Sequence, residues 1–214
     1  MGGPRPKAFL PLAGKPLFAY ALRTLSTVPS LESIILVVAA DWRQPAQSIV
    51  AEEKDLGIEV LIAAGGDERQ HSVRSGLGCI HDADLVIVHD AARPFATRAL
   101  YSACIQAAAE TGAAIAALPA HDTVKLAAPG EIVKETVDRT TVWLAQTPQG
   151  FRLDLLRRAY ENAEAEGFVG TDEASLVERL GCPVRLVPGE AHNRKLTTRD
   201  DLLWAEWYAA RGIS

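Results

Sequence analysis

The residues able to do chemistry in this chain sit in short polar breaks between apolar runs. In VIVHDAARPF, Asp90 and Arg93 follow directly on a β-branched run. A carboxylate at a strand end is well placed to hold Mg²⁺, which takes one or two carboxylates together with substrate phosphates. The bland alternative is that the two residues pair with each other or cap the next helix. In AAGGDERQHSV, Gly65 and Gly66 let backbone approach a ligand closely, while Asp67 and Ser72 offer hydrogen bonds. Gly-Asp clusters more often make ordinary turns, and Arg69 and His71 read as solvated helix residues. Lys7, in RPKAF, could neutralise a triphosphate as a point charge, although a lone lysine near a terminus is more often solvated.

A later set completes the candidates: Asp122, Thr123 and Lys125; Asp138 and Arg139; Gln146, Thr147, Pro148 and Gln149; Thr171, Asp172 and Glu173; Asn193, Lys195, Leu196 and Thr197. Thr171 reads as a helix N-cap with Asp172 and Glu173 complementing the macrodipole. Thr198 with Asp201 is likewise a helix start. Arg139 and Lys195 resist such explanations, because each lies in a polar break between apolar runs. No Ser-His-Asp order, CxxC, HExxH or Walker A pattern occurs, and His89, His121 and His192 lack metal-ligand spacing. Cys79, Cys104 and Cys182 are far apart and odd in number, which suits small buried hydrophobes rather than thiol chemistry.

The elements that must position these residues show an alternating rhythm. Ser33–Ala39, Ile58–Ala63 and Leu85–His89 are short, continuous and β-branched, as strands buried on both faces are. Segments of helical length, Asp41–Glu53 and Arg69–Ile80, separate them. This β-α-β-α-β order implies parallel strands with right-handed crossovers in a layered α/β sheet, which binds ligands beyond the carboxyl ends of its strands. Thr97–Glu110 predicts a further helix with Thr97 as N-cap, and Ala113–Pro119 a further strand. From Asp122 to Ala145 the grammar is that of hairpins, with short alternating pieces broken at Pro129-Gly130. Such a late hairpin is expected to project and to serve oligomerisation. Leu153–Glu166, Asp172–Leu180 and Thr198–Ala210 predict helices, and Pro183–Val187 a strand. The first element is a helix near Pro16–Ser26.

Composition narrows the function. A length of 214 residues with no linker suits one domain over 1–214, with a β-arm insertion at about 122–147. The net charge of −5 argues against a general nucleic-acid binder, which needs a basic face, but not against binding one small anion. No apolar run reaches the roughly 20 residues of a membrane span, and the start has no signal-peptide core, so the cytoplasm is the expected location.

Taken in order, PKAFLPLAGKPL, GGDERQHSV, VHDAARPF, DTVK, VDRTTVW, QTPQGF, TDEASLVE and NRKLTT resemble the 2-C-methyl-D-erythritol 4-phosphate cytidylyltransferases, over Met1 to about Trp207. The resemblance implies a Rossmann-like, mostly parallel sheet with a projecting β-arm that interlocks a homodimer. It implies transfer of CMP from CTP to 2-C-methyl-D-erythritol 4-phosphate, with Mg²⁺ as cofactor. Lys7, Arg139 and Lys195 match the residues that neutralise and position phosphates. Gly66, Asp67, Ser72, Asp90 and Ala91 match nucleotide-binding positions, with Asp90 the metal carboxylate. Arg93, Thr123, Thr147, Thr171 and Thr197 match positions around the polyol phosphate. A ribitol-phosphate cytidylyltransferase shares the fold and mechanism, and a non-catalytic dimerisation remnant is the alternative of another class. In the family, a strand and a PAAGxGxRM loop precede the PK motif. Met1 falls at that loop's methionine, so the first strand, the loop's glycines and its arginine are expected to be missing, and turnover to be weak.

Overall fold

The computed structural model describes residues 6–53 and 55–212, so the expectation placed on Met1 falls outside the described residues. A 3₁₀ turn at Lys7–Phe9 leads into a tiny antiparallel ribbon, β1 (Pro11–Leu12) and β2 (Lys15–Pro16). Helix α1 (Leu17–Leu25) follows and is therefore not the first element. The ribbon escaped the sequence reading because two-residue strands carry no periodicity.

Strands β3 (Ser33–Val38) and β4 (Glu59–Ala64) pair in parallel, linked through α2 (Arg43–Glu52). Ile34, Leu36 and Val38 point to one face, where they bury against Phe18 and Leu22 of α1 and Ala46 of α2. This is the period-two alternation of a strand against the i, i+4 stripe of a helix. Helix α3 (Arg69–Leu77) crosses to β5 (Leu85–Val88).

Beyond it, α4 (Arg98–Thr111) starts at Thr97, whose hydroxyl accepts from the Leu100 N–H at 3.2 Å, as the sequence predicts. Strand β6 (Ala113–Pro119) is followed by the hairpin of β7 (Val124–Ala128) and β8 (Ile132–Val137), and then by β9 (Trp143–Arg152). After α5 (Leu153–Ala165) and α6 (Glu173–Arg179), β10 (Arg185–Pro188) and α7 (Arg199–Ala209) end the described chain. The four-stranded sheet has the order β10-β6-β9-β5; β10 and β6 are parallel, whereas β9 runs antiparallel to both of its neighbours. The architecture is α/β, but its sheet is mixed rather than mostly parallel. The third alternating piece of the hairpin region turns back into the sheet as β9, and among the described residues β7 and β8 pair only with each other.

Two helical layers clamp this sheet. Tyr101, Cys104 and Ala108 of α4 pack on Ala114 and Ala116 from one side. Leu153, Leu156, Tyr160 and Ala163 of α5 meet Ile115 and Phe151 from the other, at the three-and-four spacing of an amphipathic helix. Gly150 permits the close approach: a Cβ there would stand 2.8 Å from Ile87 Cδ1 and 3.0 Å from Ala108 Cβ. Among the described residues no helix is long and apolar enough to cross a membrane.

Candidate functional site

The site is built where β5 ends. Opposite that end, β6 and β9 lose register between Ile115 and Ala117, so that Gln146, Thr147 and Pro148 bulge out of the ladder. Pro148 has no N–H to give a ladder, which favours a break here. The bulge turns polar side chains toward the strand end. The Asp90 N–H donates to Thr147 Oγ1 at 3.0 Å, and Thr147 Oγ1 lies 3.1 Å from His89 Nδ1. His89 Nε2 lies 3.0 Å from the Arg93 carbonyl oxygen. That carbonyl can only accept, so Nε2 carries the proton and Nδ1 accepts from the Thr147 hydroxyl.

The same bulge holds the loop that carries Lys195. Buried Asn193 donates to the Thr147 carbonyl at 2.8 Å and to Gln146 Oε1 at 3.2 Å. Gln146 Nε2 donates to the Glu190 carbonyl at 3.0 Å, and the Leu196 N–H to the Ala92 carbonyl at 2.9 Å. Arg93 donates to the Asn193 carbonyl at 2.7 Å rather than pairing with Asp90. Lys195 Nζ is thereby delivered 2.7 Å from Asp90 Oδ2.

The other Asp90 oxygen belongs to Arg69, whose Nε donates to Oδ1 at 3.0 Å. The guanidinium also makes a bidentate pair with Glu173, at 2.9 and 2.8 Å, and Glu173 accepts from the Tyr160 hydroxyl at 3.0 Å. Arg69 is thus no solvated helix residue, and Glu173, 1% exposed, does more than complement a helix dipole. The signal was present in the order of charges: a cation in the first turn of a helix opposes the macrodipole and needs carboxylate partners. Glu173 gave no such signal, because an acid in a first turn already has an ordinary explanation. The cap of α6 is Asp172, accepting from the Ser175 N–H at 3.0 Å; Thr171 precedes it, exposed.

Burial alone would raise the Asp90 carboxyl, but the Arg69 guanidinium and the Lys195 ammonium outweigh it and hold it down at about 2. It is an anion at every physiological pH. His89 is pushed the other way for a cation, down to about 4, chiefly by burial. A histidine whose folded pKa is depressed contributes stability that is fully present above its unfolded pKa of about 6.5 and lost as pH falls through the folded value. Between pH 6.5 and 4 the fold is expected to lose about 3 kcal/mol from this group. Urea unfolding at pH 7 and 4.5 checks it. His89→Gln is expected to flatten the difference, and an equally steep loss in that variant would reject His89 as its source.

The remaining sequence candidates are spread more widely. Ser72 Oγ accepts from the Gly66 N–H at 3.2 Å, and Asp67 is exposed beside them. Gly66 has a local reason to be glycine, since a Cβ would stand 2.5 Å from His71 Cβ. Ala91 is half-buried after Asp90. Thr197 donates to Asp201 Oδ2 at 3.1 Å, the carboxylate that also forms the capping box of α7 with Thr198. Lys7 is exposed in the first turn. Thr123 and Arg139 flank the β7–β8 hairpin, both exposed, with Arg139 donating to the His121 carbonyl at 2.7 Å. No hydrogen bond or ion pair among the described residues joins Lys7, Thr123 or Arg139 to the Asp90 cluster. Cys104 is buried, its thiol pushed up to about 12 by that burial, and Cys79 and Cys182 are partly covered.

Among the described residues no group of three or more His, Cys, Asp or Glu side chains gathers as a metal cage. Asp90 alone still suits a hard cation that takes its other oxygens from phosphates, because each carboxylate oxygen keeps a lone pair beyond its present partner. Chemically, the cluster is a fixed anion flanked by two cations, one of them the half-exposed Lys195 (44%). An ammonium so placed can turn from the carboxylate to an incoming phosphate.

Comparison with known proteins agrees over the length of the chain. The family model described as 2-C-methyl-D-erythritol 4-phosphate cytidylyltransferase matches residues 1–211. Curated proteins of that name include one from Bacillus velezensis, 45% identical over 94% of this chain and 86% of the relative. Another, from Syntrophus aciditrophicus, is 43% identical over 96% and 88%. Among solved structures, the 4-diphosphocytidyl-2C-methyl-D-erythritol synthase of Anaerococcus prevotii superposes with a TM-score of 0.88 at 32% identity, covering 95% of this chain and 93% of the other. The Thermus thermophilus cytidylyltransferase gives 0.81 at 38% identity, covering 96% and 94%.

Proposed function

The chain belongs to the 2-C-methyl-D-erythritol 4-phosphate cytidylyltransferase family, and from that premise we infer how its own residues carry the reaction. The reaction is CTP-dependent cytidylyl transfer to 2-C-methyl-D-erythritol 4-phosphate in isoprenoid precursor biosynthesis. A phosphate oxygen of the acceptor forms a bond to the α-phosphorus of CTP. The bond from that phosphorus to the bridging oxygen breaks, and pyrophosphate leaves with the electron pair. Two polyanions must meet, so catalysis is mostly positioning and charge neutralisation, with no need of a protein nucleophile. The run of charges Lys195–Asp90–Arg69–Glu173 at the end of β5 is the observation that carries this reading.

In this scheme Lys195 leaves Asp90 for the acceptor phosphate, with Arg139 and Lys7 closing on the phosphates from the arm and the first turn. Gly66, Asp67, Ser72, Asp90 and Ala91 line the nucleotide side. Arg93, Thr123 and Thr171 serve the polyol phosphate. Thr147 and Thr197, engaged in internal hydrogen bonds, act as positioning residues. Asp90 is the residue that would hold a divalent cation such as Mg²⁺, which when bound supplies further neutralisation of the triphosphate. The hairpin of β7 and β8 exposes Leu126, Ile132 and Val133, an apolar arm suited to a homodimer. The whole chain serves as one nucleotidyltransferase domain, working in the cytoplasm.

Pyrophosphate release tests the acceptor. With CTP and Mg²⁺, 2-C-methyl-D-erythritol 4-phosphate is expected to be used at least about tenfold better in kcat/KM than ribitol 5-phosphate, since a site hydrogen-bonded to one polyol penalises another. The reverse preference would reassign the substrate.

A further inference from the structure

The loop between α5 and α6 is held closely around one exposed hydroxyl. Helix α5 ends on Gly167, in the left-handed region at φ 63°, and the Phe168 N–H returns to the Ala163 carbonyl at 2.8 Å. Phe168 then packs on the core, with the Arg179 guanidinium 4.1 Å above its ring. Gly170 lies so near α6 that a Cβ there would stand 2.5 Å from Ser175 Oγ and 2.7 Å from Leu176 Cδ2. Thr171 follows, exposed, and no hydrogen bond among the described residues engages its hydroxyl.

The residues on both sides of that threonine are pinned. After it, Asp172 accepts from the Ser175 N–H and from Gln149 Nε2, the latter at 2.8 Å, and Glu173 holds Arg69. Before it the hold comes from Gln70. Its Nε2 donates to the Phe168 carbonyl at 3.1 Å, and its Oε1 accepts from the Gly170 N–H at 2.9 Å. A primary amide carries a donor and an acceptor side by side, so one side chain grips an extended stretch of backbone at two points. Arg69 and Gln70 are successive residues in the first turn of α3. One reaches Asp90 and Glu173, the other reaches this loop.

Surface loops ordinarily leave such backbone groups to water. Here the chain is fixed immediately before and after Thr171 while the hydroxyl itself stays open, which is the arrangement of a ligand group ordered in advance of its ligand. We propose that Gln70 is a positioning residue for the acceptor, setting where Thr171 meets the polyol phosphate; this rests on the acceptor role given to Thr171 above. Gln70 touches neither substrate nor reacting atoms in this scheme. It acts through the Phe168–Gly170 backbone, so its loss should loosen the acceptor side and leave the nucleotide side, around Gly66, Asp67 and Ser72, as it was. The same first turn of α3 thereby orders both partners of the reaction: the Asp90 anion through Arg69, and the acceptor loop through Gln70.

Gln70→Met is the first test, since methionine keeps the length of the side chain and loses both bonds. Dissociation constants for 2-C-methyl-D-erythritol 4-phosphate and for CTP are measured separately by calorimetry on the full 214-residue chain, with KM and kcat beside them. The acceptor Kd and KM are expected to rise about tenfold. The CTP constants and kcat should stay within about twofold, and amide exchange at Gly170 should quicken about tenfold or more. Gln70→Ala is the second variant, with the same split expected. Thr171→Val should raise the acceptor constants too, and the double substitution should be no worse than Thr171→Val alone, because the two residues act in series. A raised acceptor constant in Thr171→Val with an unmoved one in Gln70→Met overturns the proposal alone. So do additive effects, equal losses for CTP and acceptor, or Gln70 variants that do not fold, each of which makes Gln70 a structural clamp. An unmoved constant in Thr171→Val, or no acceptor binding by the unsubstituted chain, overturns the acceptor role of Thr171 and the proposal with it.

Discussion

Lys195→Ala is expected to lower kcat for pyrophosphate release by about 10²–10³-fold relative to the unsubstituted chain, the range for removing one preorganised charge donor from a developing anion. The fold should barely register the change. Lys195 is exposed and its loop is held by other groups: Asn193 through the Thr147 carbonyl and Gln146, and Leu196 through the Ala92 carbonyl. Asp90 keeps Arg69 as a partner, so no bare buried anion results. Lys195→Arg tests the chemistry more finely. It restores charge but replaces a compact ammonium with a planar fork, so partial recovery is expected, with KM for the acceptor phosphate recovering more than kcat. A Lys195→Ala chain with unchanged kcat would remove this residue from the reaction. Parallel loss of stability and activity would instead make it a structural lysine.

The fold and the site were legible to different degrees, for different physical reasons. Strands β3, β4 and β5 are legible because each is a short, continuous β-branched run bounded by segments of helical length, although among the described residues β5 pairs only antiparallel, with β9. The N-cap at Thr97 was legible because its requirement is local. Strand β9 was not: its register break places Gln146, Thr147 and Pro148 inside a sheet, where polar and proline residues read as loop. Its antiparallel direction is a long-range pairing that local periodicity does not record. Asp90 and Lys195 were found because each interrupts apolar sequence. Their meeting at 2.7 Å spans more than a hundred residues of chain and belongs to the tertiary fold alone. Arg69 reads as solvated in the sequence because its partners lie 21 and 104 residues away. The exposed arm residues Thr123 and Arg139 show the converse. Sequence resemblance groups them with the site, but among the described residues no hydrogen bond or ion pair joins them to it.

Glu173→Ala is expected to destabilise the fold by about 3 kcal/mol and to reduce activity as well, through Asp90 rather than by direct contact. Removing one member of a buried ion pair costs about 3–5 kcal/mol, because the other charge stays behind unpaired. The lower end applies, since the Arg69 side chain is 33% exposed and keeps Asp90. For a chain of this size the unfolding midpoint should fall by roughly 6–12 °C. Lost stability alone would not distinguish scaffold from function, so the informative chain is the double substitution Arg69→Met with Glu173→Leu. Replacing a buried pair by apolar groups of similar volume is often neutral or stabilising, and the midpoint should return to near that of the parent. Asp90 would then be held by Lys195 alone. Without Arg69 its carboxyl must rise from about 2 toward the ordinary aspartate value of about 3.9. The acid limb of the pH–rate profile should move up in step, with kcat reduced at pH 7 because the anion is no longer fixed from both sides. Recovered stability with an unmoved profile would leave Arg69 and Glu173 a purely structural pair. Recovered stability with a displaced profile would show that the fold positions its phosphate-handling lysine through a chain of charges that begins in the core at Glu173.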